Sequence, residues 1–143
     1  MLQQPVDESG LDVTLVSGRP YDVMRGCDTI ISASGTATLE IGIMQVPLVV
    51  TYKMATLSYH IFSYLVKLDH IALCNIVAGE RIAPELIQSE ATVDNMFRET
   101  LALLQDKDRA YAMSERMGKI REKLGASGAS ENIARLTLKM LSE

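Results

Sequence analysis

The sequence has few cysteines and aromatic residues, which narrows the classes of protein to which it can belong. Its 143 residues include two cysteines, no tryptophan and only 5% aromatic residues. Cys27 and Cys74 have no metal-ligand spacing, and so small a number favours a reducing cytosol. His60 and His70 also lack a cysteine or carboxylate at ligand spacing, so no metal site is predicted. The net charge of −4 gives no basic surface for nucleic acid.

Long hydrophobic runs are also missing. Although 48% of the residues are apolar, no stretch reaches the roughly 20 uncharged apolar residues of a membrane span. The most apolar region, residues 61–77, is interrupted by Lys67, Asp69 and His70. The first ten residues contain neither the basic nor the apolar segment of a secretory signal. These observations predict a cytoplasmic location.

The first third of the chain alternates between strand and helix signals. Residues 12–17, 28–33 and 47–52 are short strand-like runs, the first alternating in polarity and the others β-branched. A short helix is predicted between the first two, with Pro20 at its first position and Gly26 just after its end. Residues 36–44 predict a second helix. This order with short connections predicts an α/β fold, in which helices flank a parallel sheet.

The rest of the chain is predicted to be mainly helical. The middle suggests a helix over residues 55–67, a brief strand within residues 70–80 and a short helix over residues 84–88. Beyond residue 92, apolar residues recur with helical period in two long stretches, and Ser130 is expected to cap a final helix. Because no repeat or linker interrupts the chain, residues 1–143 are predicted to form one domain, with an α/β part (1–91) and a helical tail (92–143).

The turn Ser34-Gly35-Thr36 lies between the second predicted strand and the helix that follows. In an open parallel sheet, ligands bind beyond the carboxyl ends of the strands. The first N–H groups of a helix lack internal partners, and the helix dipole favours an anion there. Gly35 lets a ligand approach the backbone, and the hydroxyl groups of Ser34 and Thr36 add donors. The turn therefore suggests a phosphate site, although the same residues also suit a plain strand-to-helix turn.

Three further polar residues are candidates for this site. Glu40 shares a helix face with Thr36, so its carboxylate can accept hydrogen bonds from a ribose diol; the alternative is a solvated surface carboxylate. Asn75 leads from an apolar run into a glycine-containing loop, where its amide can both donate and accept. Arg81 can contact a diphosphate. Asn75 equally suits a turn cap, and Arg81 a surface residue.

Three sequence blocks together resemble the C-terminal part of lipid-A-disaccharide synthases. They are SASGTATLE, VPLVVTYKM and YLVKLDHIALCNIVAGERIAPELIQ, which match that family in order and spacing. The later segment GASENIARLTLKML is similar to the family's end. The sequence departs from the family at two places, since Cys74 replaces a usual proline and Glu80-Arg81 replaces Arg-Glu.

The resemblance implies the C-terminal half of a GT-B glycosyltransferase, a partial Rossmann-like fold that binds the UDP part of the donor. The family joins UDP-2,3-diacylglucosamine to 2,3-diacylglucosamine 1-phosphate, inverts the anomeric centre and releases UDP, without a metal or other cofactor. Carried over by position, Ser34, Gly35 and Thr36 meet the diphosphate and Glu40 meets the ribose. Asn75 matches a functionally important asparagine close to the donor and is the one catalytic candidate.

The resemblance also implies a fragment, because the family's acceptor-binding half and its general base precede the matched region. We expect the chain alone to be inactive and at most a weak nucleotide binder, with acceptor and inner-membrane contacts made through the full enzyme. An unpaired sheet edge predicts self-association or strand exchange. Two alternatives remain: the donor side of another UDP-sugar enzyme (a 2-epimerase or a peptidoglycan N-acetylglucosaminyltransferase), or a non-catalytic α/β module that binds a protein partner.

Overall fold

The computed structural model describes residues 3–55, 69–125 and 128–141. Within these ranges, three strands are present, β1 (Ile30–Ala33), β2 (Leu48–Tyr52) and β3 (Glu85–Ile87), and one 3-10 turn spans Gln88–Glu90. The helices are α1 (Gln3–Ser9), α2 (Pro20–Gly26), α3 (Thr36–Ile43), α4 (Leu73–Ala78), α5 (Val93–Gln105), α6 (Lys107–Leu124) and α7 (Ala129–Leu141).

The three strands form a parallel sheet in the order β1-β2-β3. Ile30 is paired with Leu48, and Val50 is paired with Glu85. Leu48, Val49 and Val50 are all buried, as expected for a central strand covered on both faces. The predicted α/β class, a parallel sheet with flanking helices and a helical C-terminal tail, is confirmed.

The helices enclose the core mainly through α3, α5 and α6. Helix α6 packs against α3 and α4, while α5 packs against β1 and β2. Gly42 permits the close approach of α3 to α6, because an added Cβ would lie 2.9 Å from Ile120 Cδ1. The buried apolar residues form one cluster: Ile41, Val46, Leu48, Val49, Val50, Ala72, Cys74, Ala78, Ile82, Ala83, Leu86, Leu103, Met113, Met117 and Ile120.

The strand predicted over residues 12–17 is wrong. This segment is irregular and its side chains are exposed. In the described part of the chain, β1 pairs only with β2, so residues 12–17 have no strand beside them. An alternating pattern forms a strand only where its backbone groups find a ladder partner.

Two predictions in the middle of the chain are also wrong, and in opposite directions. Residues 73–78 form helix α4 where a strand was predicted, since a short apolar run does not distinguish a strand from a buried helix by its periodicity. Residues 85–87 form β3 where a helix was predicted, because pairing with β2 overrides the helix-start preference of Pro84. Gly79 adopts a left-handed conformation (φ 70°) that ends α4.

The helical character of the last third is confirmed. Helices α5 and α6 cover the two predicted apolar stretches, and Gly125 follows the end of α6. Helix α7 begins at Ala129, so Ser130 lies inside the helix and is not its cap. The helix predicted over residues 55–67 lies almost wholly outside the described residues. Within the part of the chain that is described, no helix is long and apolar enough to cross a membrane.

Candidate functional site

The turn Ser34-Gly35-Thr36 lies at the carboxyl end of β1 and leads directly into α3. Gly35 is the residue before the helix, and its dihedral angles (φ 153°, ψ −166°) belong to a region that is almost restricted to glycine. Glycine offers no side chain to accept hydrogen bonds from the helix. The first N–H groups of α3, those of Thr36 and Ala37, have no acceptor within the helix. They are therefore able to donate to an external anion.

The two hydroxyl-bearing residues of the turn have different surroundings. Ser34 is half-buried, and its Oγ donates to the carbonyl oxygen of Ile71 at 3.1 Å. This bond joins the turn to the segment just before α4. Thr36 is exposed. The turn is thus fixed on the side of Ser34 and open on the side of Thr36.

Glu40 lies one helical turn after Thr36 and is half-buried. Its Oε1 accepts a hydrogen bond from the Tyr21 hydroxyl group at 3.3 Å, which connects α3 to α2. Sequence analysis did not single out Tyr21, because its partner lies 19 residues further along the chain. A carboxylate held at this position can accept hydrogen bonds from a diol while it remains in contact with solvent.

Asn75 is fully buried, and its amide is occupied by contacts within the chain. Its Oδ1 accepts from the backbone N–H groups of Ile82 and Ala83, both at 2.9 Å. Its Nδ2 donates to the carbonyl oxygen of Ala83 at 2.9 Å and to Glu85 Oε1 at 2.7 Å. The side chain therefore holds the loop between α4 and β3 in one shape.

Glu85 completes this network and was missed by the sequence analysis. It is 6% exposed, and its carboxylate accepts from the N–H groups of Ile71 and Ala72, both at 3.0 Å, in addition to Asn75. Ala72 is the residue before α4, so the carboxylate lies at the amino end of that helix, where the helix dipole favours a negative charge. The sequence signal that could have identified Glu85 is its position within the apolar run of residues 84–87, because a carboxylate buried there requires hydrogen-bond partners.

Two other contacts fix the same region. Gln88 exchanges two hydrogen bonds with the backbone of Met54, at 2.9 and 3.1 Å, and so joins the carboxyl ends of β2 and β3. Burial raises the pKa of the Cys74 thiol above its ordinary value, and a hydrogen bond with Thr38 opposes this change. Cys74 is therefore a neutral core residue here rather than a reactive thiolate.

Arg81 lies in a different hollow from the start of α3. Its Nη2 donates to the carbonyl oxygen of Glu85 at 3.1 Å, and its side chain lines a hollow with Arg109 and Arg116 of α6. Neither Ser34 nor Glu40 belongs to that lining. The predicted residues thus divide into two groups: Ser34 is linked through Ile71 and Glu85 to Asn75, whereas Arg81 faces α6.

Among the described residues, no group of three or more His, Cys, Asp or Glu side chains is arranged to hold a metal ion. The polar groups around the start of α3 are backbone amides, hydroxyls and one carboxylate. Such groups suit a ligand that carries both anionic oxygens and hydroxyl groups.

The chain matches the family model described as lipid-A-disaccharide synthetase over residues 2–137. It is 50% identical over 137 residues to the lipid-A-disaccharide synthase of Geobacter sulfurreducens, a match that covers 94% of this chain and 35% of that protein. It is 52% identical over 131 residues to the enzyme of the same name from Nitrosococcus oceani, covering 92% of this chain and 34% of the relative. The chain therefore spans about a third of the length of these relatives.

Proposed function

The chain belongs to the lipid-A-disaccharide synthetase family, and from this premise we propose that it is the portion of a glycosyltransferase that binds the UDP donor. The start of α3 is the proposed diphosphate site. The observation that carries the proposal is the uncapped helix start at the carboxyl end of β1, where Gly35 leaves the N–H groups of Thr36 and Ala37 available. Ser34 positions this turn through its bond to Ile71.

Glu40 is proposed to bind the ribose of the donor. Its carboxylate lies on α3, one turn beyond the diphosphate site, which is a suitable separation for the adjoining sugar of a nucleotide. The hydrogen bond from Tyr21 fixes its orientation. Two ribose hydroxyl groups would donate to the remaining lone pairs of the carboxylate.

Asn75 is proposed to act on the donor site as a positioning residue. Both of its amide hydrogens and its carbonyl oxygen are engaged with the loop of residues 79–85, so it supports the wall beside Ser34 without contacting the ligand itself. Arg81 is left out of the proposed donor site because its hollow faces α6.

The proposed reaction joins UDP-2,3-diacylglucosamine to 2,3-diacylglucosamine 1-phosphate. The acceptor hydroxyl oxygen forms a bond to the anomeric carbon, the bond from that carbon to the diphosphate breaks, and UDP departs with the electron pair. A general base takes the hydroxyl proton, and attack opposite the leaving group inverts the anomeric centre. We propose that the acceptor and this base belong to the part of the relatives that the chain does not span, so the 143 residues alone are inactive.

A binding experiment with matched variants tests the donor site. We expect the chain to bind UDP weakly. The variant Glu40→Gln should weaken UDP binding about tenfold, because charge-assisted hydrogen bonds are lost. The control variant Glu131→Gln, which changes the charge equally on exposed α7, should leave UDP binding unchanged. Equal UDP binding by both variants would contradict the role of Glu40, and no response of the unaltered chain to UDP would favour a non-catalytic α/β module. Disaccharide formation by the purified chain, with no second chain added, would contradict the proposed inactivity.

Self-association and cellular location follow from the same proposal. In the described residues β1 has a partner on one side only, and Ile31 on that strand is 49% exposed. We propose that the complete enzyme acts in the cytoplasm at the inner membrane. We also propose that the open edge of β1 pairs with a strand of a second copy of the chain or with another strand. A strictly monomeric mass at high concentration would contradict the self-association.

A further inference from the structure

A hollow between α6 and the loop before β3 is lined by three arginine side chains. Its volume is about 320 Å³, at the lower end of the range of about 300–1,000 Å³ that is typical of small-ligand pockets. The lining consists of Arg81, Ile82, Pro84, Arg109, Ala112, Met113 and Arg116. The hollow thus combines three cationic side chains with four apolar residues.

Helical spacing brings two of these arginines together. Arg109 and Arg116 are seven residues apart on α6, so they lie on one face of the helix with Met113 between them. Met113 is buried and anchors that face to the core. Arg116 Nη2 donates to the carbonyl oxygen of Arg81 at 3.1 Å, which holds the loop against the helix. This bond fixes the backbone of Arg81 beside α6, and the Arg81 side chain lines the same hollow as the other two.

The charges around the hollow do not balance. Arg109 is paired with Glu99 at 2.6 Å, and Arg116 is paired with Glu80 at 2.8 Å. Among the residues that the structure describes, Arg81 contacts no carboxylate, and its contact with the Glu85 carbonyl oxygen uses only Nη2. Neither Glu80 nor Glu99 lines the hollow. A guanidinium group carries five N–H donors, so the three side chains have more donors than these contacts use.

We propose that this hollow binds a phosphate group, as free phosphate or as a phosphate monoester. Arginine forks match the oxygen spacing of phosphate and give charge-assisted hydrogen bonds. Arg109 and Arg116 are each 40% exposed at the side chain, so a ligand can reach them from solvent. The site does not depend on the proposed donor site at the start of α3, and either can fail without the other.

The first experiment is a titration of the 15N-labelled chain with inorganic phosphate at constant ionic strength, with chloride as the reference anion. We expect saturable shifts at the Nε–H groups of Arg81, Arg109 and Arg116. Arg81→Gln should weaken phosphate binding about tenfold, the loss expected for charge-assisted hydrogen bonds. Arg135→Gln is the matched control, because it removes an arginine that pairs with Glu131 on exposed α7.

A second arm identifies the source of the phosphate group. Vesicles of phosphatidylcholine with and without phosphatidic acid are sedimented with the native chain and both variants. Binding of free phosphate supports a soluble ligand, and Arg81-dependent binding to phosphatidic acid vesicles alone supports a lipid headgroup. Arg109→Gln provides a second variant within the hollow. The proposal is overturned if Arg81→Gln and Arg109→Gln both bind phosphate and vesicles as the control variant Arg135→Gln does.

Discussion

Two helix starts in this protein differ in whether a carboxylate lies beside them. Helix α4 begins beside the buried carboxylate of Glu85. This carboxylate accepts hydrogen bonds from the N–H groups of Ile71 and Ala72, the two residues before the helix. Helix α3 begins at Gly35, which has no side chain to accept anything. The two N–H groups just before α4 are thus satisfied by a carboxylate that lies at the amino end of the helix. At α3 the described residues place no acidic side chain in the first turn and no capping side chain before it.

The difference indicates which helix start is available to a ligand. The start of α4 already has its negative charge, so a second anion would be repelled by Glu85. The start of α3 has the dipole and the free donors without the charge. The two helix starts are also coupled, because Ser34 donates to Ile71 just before α4. The segment that Glu85 fixes before α4 therefore supports the turn before α3.

The largest expected effect comes from breaking the network at α4. Asn75→Asp would place a carboxylate oxygen 2.7 Å from Glu85 Oε1 and against the carbonyl oxygen of Ala83. We expect a loss of about 3 kcal/mol in the free energy of unfolding, measured by urea titration, since a buried donor is replaced by a like charge. Asn132→Asp, at an exposed position on α7, should change the stability little. Equal effects at the two sites would contradict the role of the network.

A smaller effect is expected where α3 packs against α6. Gly42→Ala would bring a Cβ to 2.9 Å from the buried Ile120 side chain, and overpacking of this kind costs about 2 kcal/mol. Gly118→Ala is the matched control, because its Cβ meets only the end of the flexible Gln45 side chain. In the control, the gain in helix propensity of about 1 kcal/mol opposes any clash. Urea unfolding that ranks Gly118→Ala as the more damaging change would refute this packing.

At the start of α3, Gly35→Ala should cost about 1 kcal/mol, the strain of a side chain at φ 153°. Nothing lies within 4 Å of the added Cβ, so the loss reflects the backbone conformation and not a clash. Gly26→Ala, at the end of α2 with similarly open space, should be neutral in the same thermal or urea measurement. If Gly35→Ala were as well tolerated as Gly26→Ala, the turn would not need its unusual conformation.

The smallest effect is expected at the rim of the loop after α4. A hydrogen bond from Arg116, together with its charge, lowers the pKa of Glu80 below the ordinary value of 4.5. A lowered folded-state pKa gives stability that is present above the ordinary value and is lost as the pH falls through the folded one. Glu80→Gln should therefore lower the thermal midpoint slightly at neutral pH and not in acid. A difference that persists in acid would assign another role to Glu80.

The sequence predicted the elements whose signals are local. The β-branched runs of β1 and β2 and the apolar periods of α5 and α6 are contained within their own segments, so these elements were predicted correctly. The network at α4 joins partners that are 7 to 14 residues apart, and the Gln88–Met54 pair spans 34. No local pattern reports such contacts. The structures of β3 and of residues 12–17 also depend on whether a strand from elsewhere in the chain pairs with them. Their local sequences therefore predicted a helix for β3 and a strand for residues 12–17.

The candidate site was predictable to a similar extent. The position of Ser34-Gly35-Thr36 at the end of a strand follows from the alternation of elements alone. The placement of Asn75 and Arg81 in different surroundings does not follow from that alternation, because it depends on which side of the loop faces α6. The buried role of Glu85 was hidden for the same reason, since its partners become apparent only when β3 pairs with β2.

The most direct test of the open helix start is the response of backbone amides to UDP, followed by NMR on the 15N-labelled chain with uridine as the ligand that lacks phosphate. We expect UDP, and not uridine, to shift the amide resonances of Gly35, Thr36 and Ala37 while those of Ile71 and Ala72, already bonded to Glu85, move far less. UDP that leaves the first three unmoved, or shifts the two groups equally, would contradict a diphosphate site at α3.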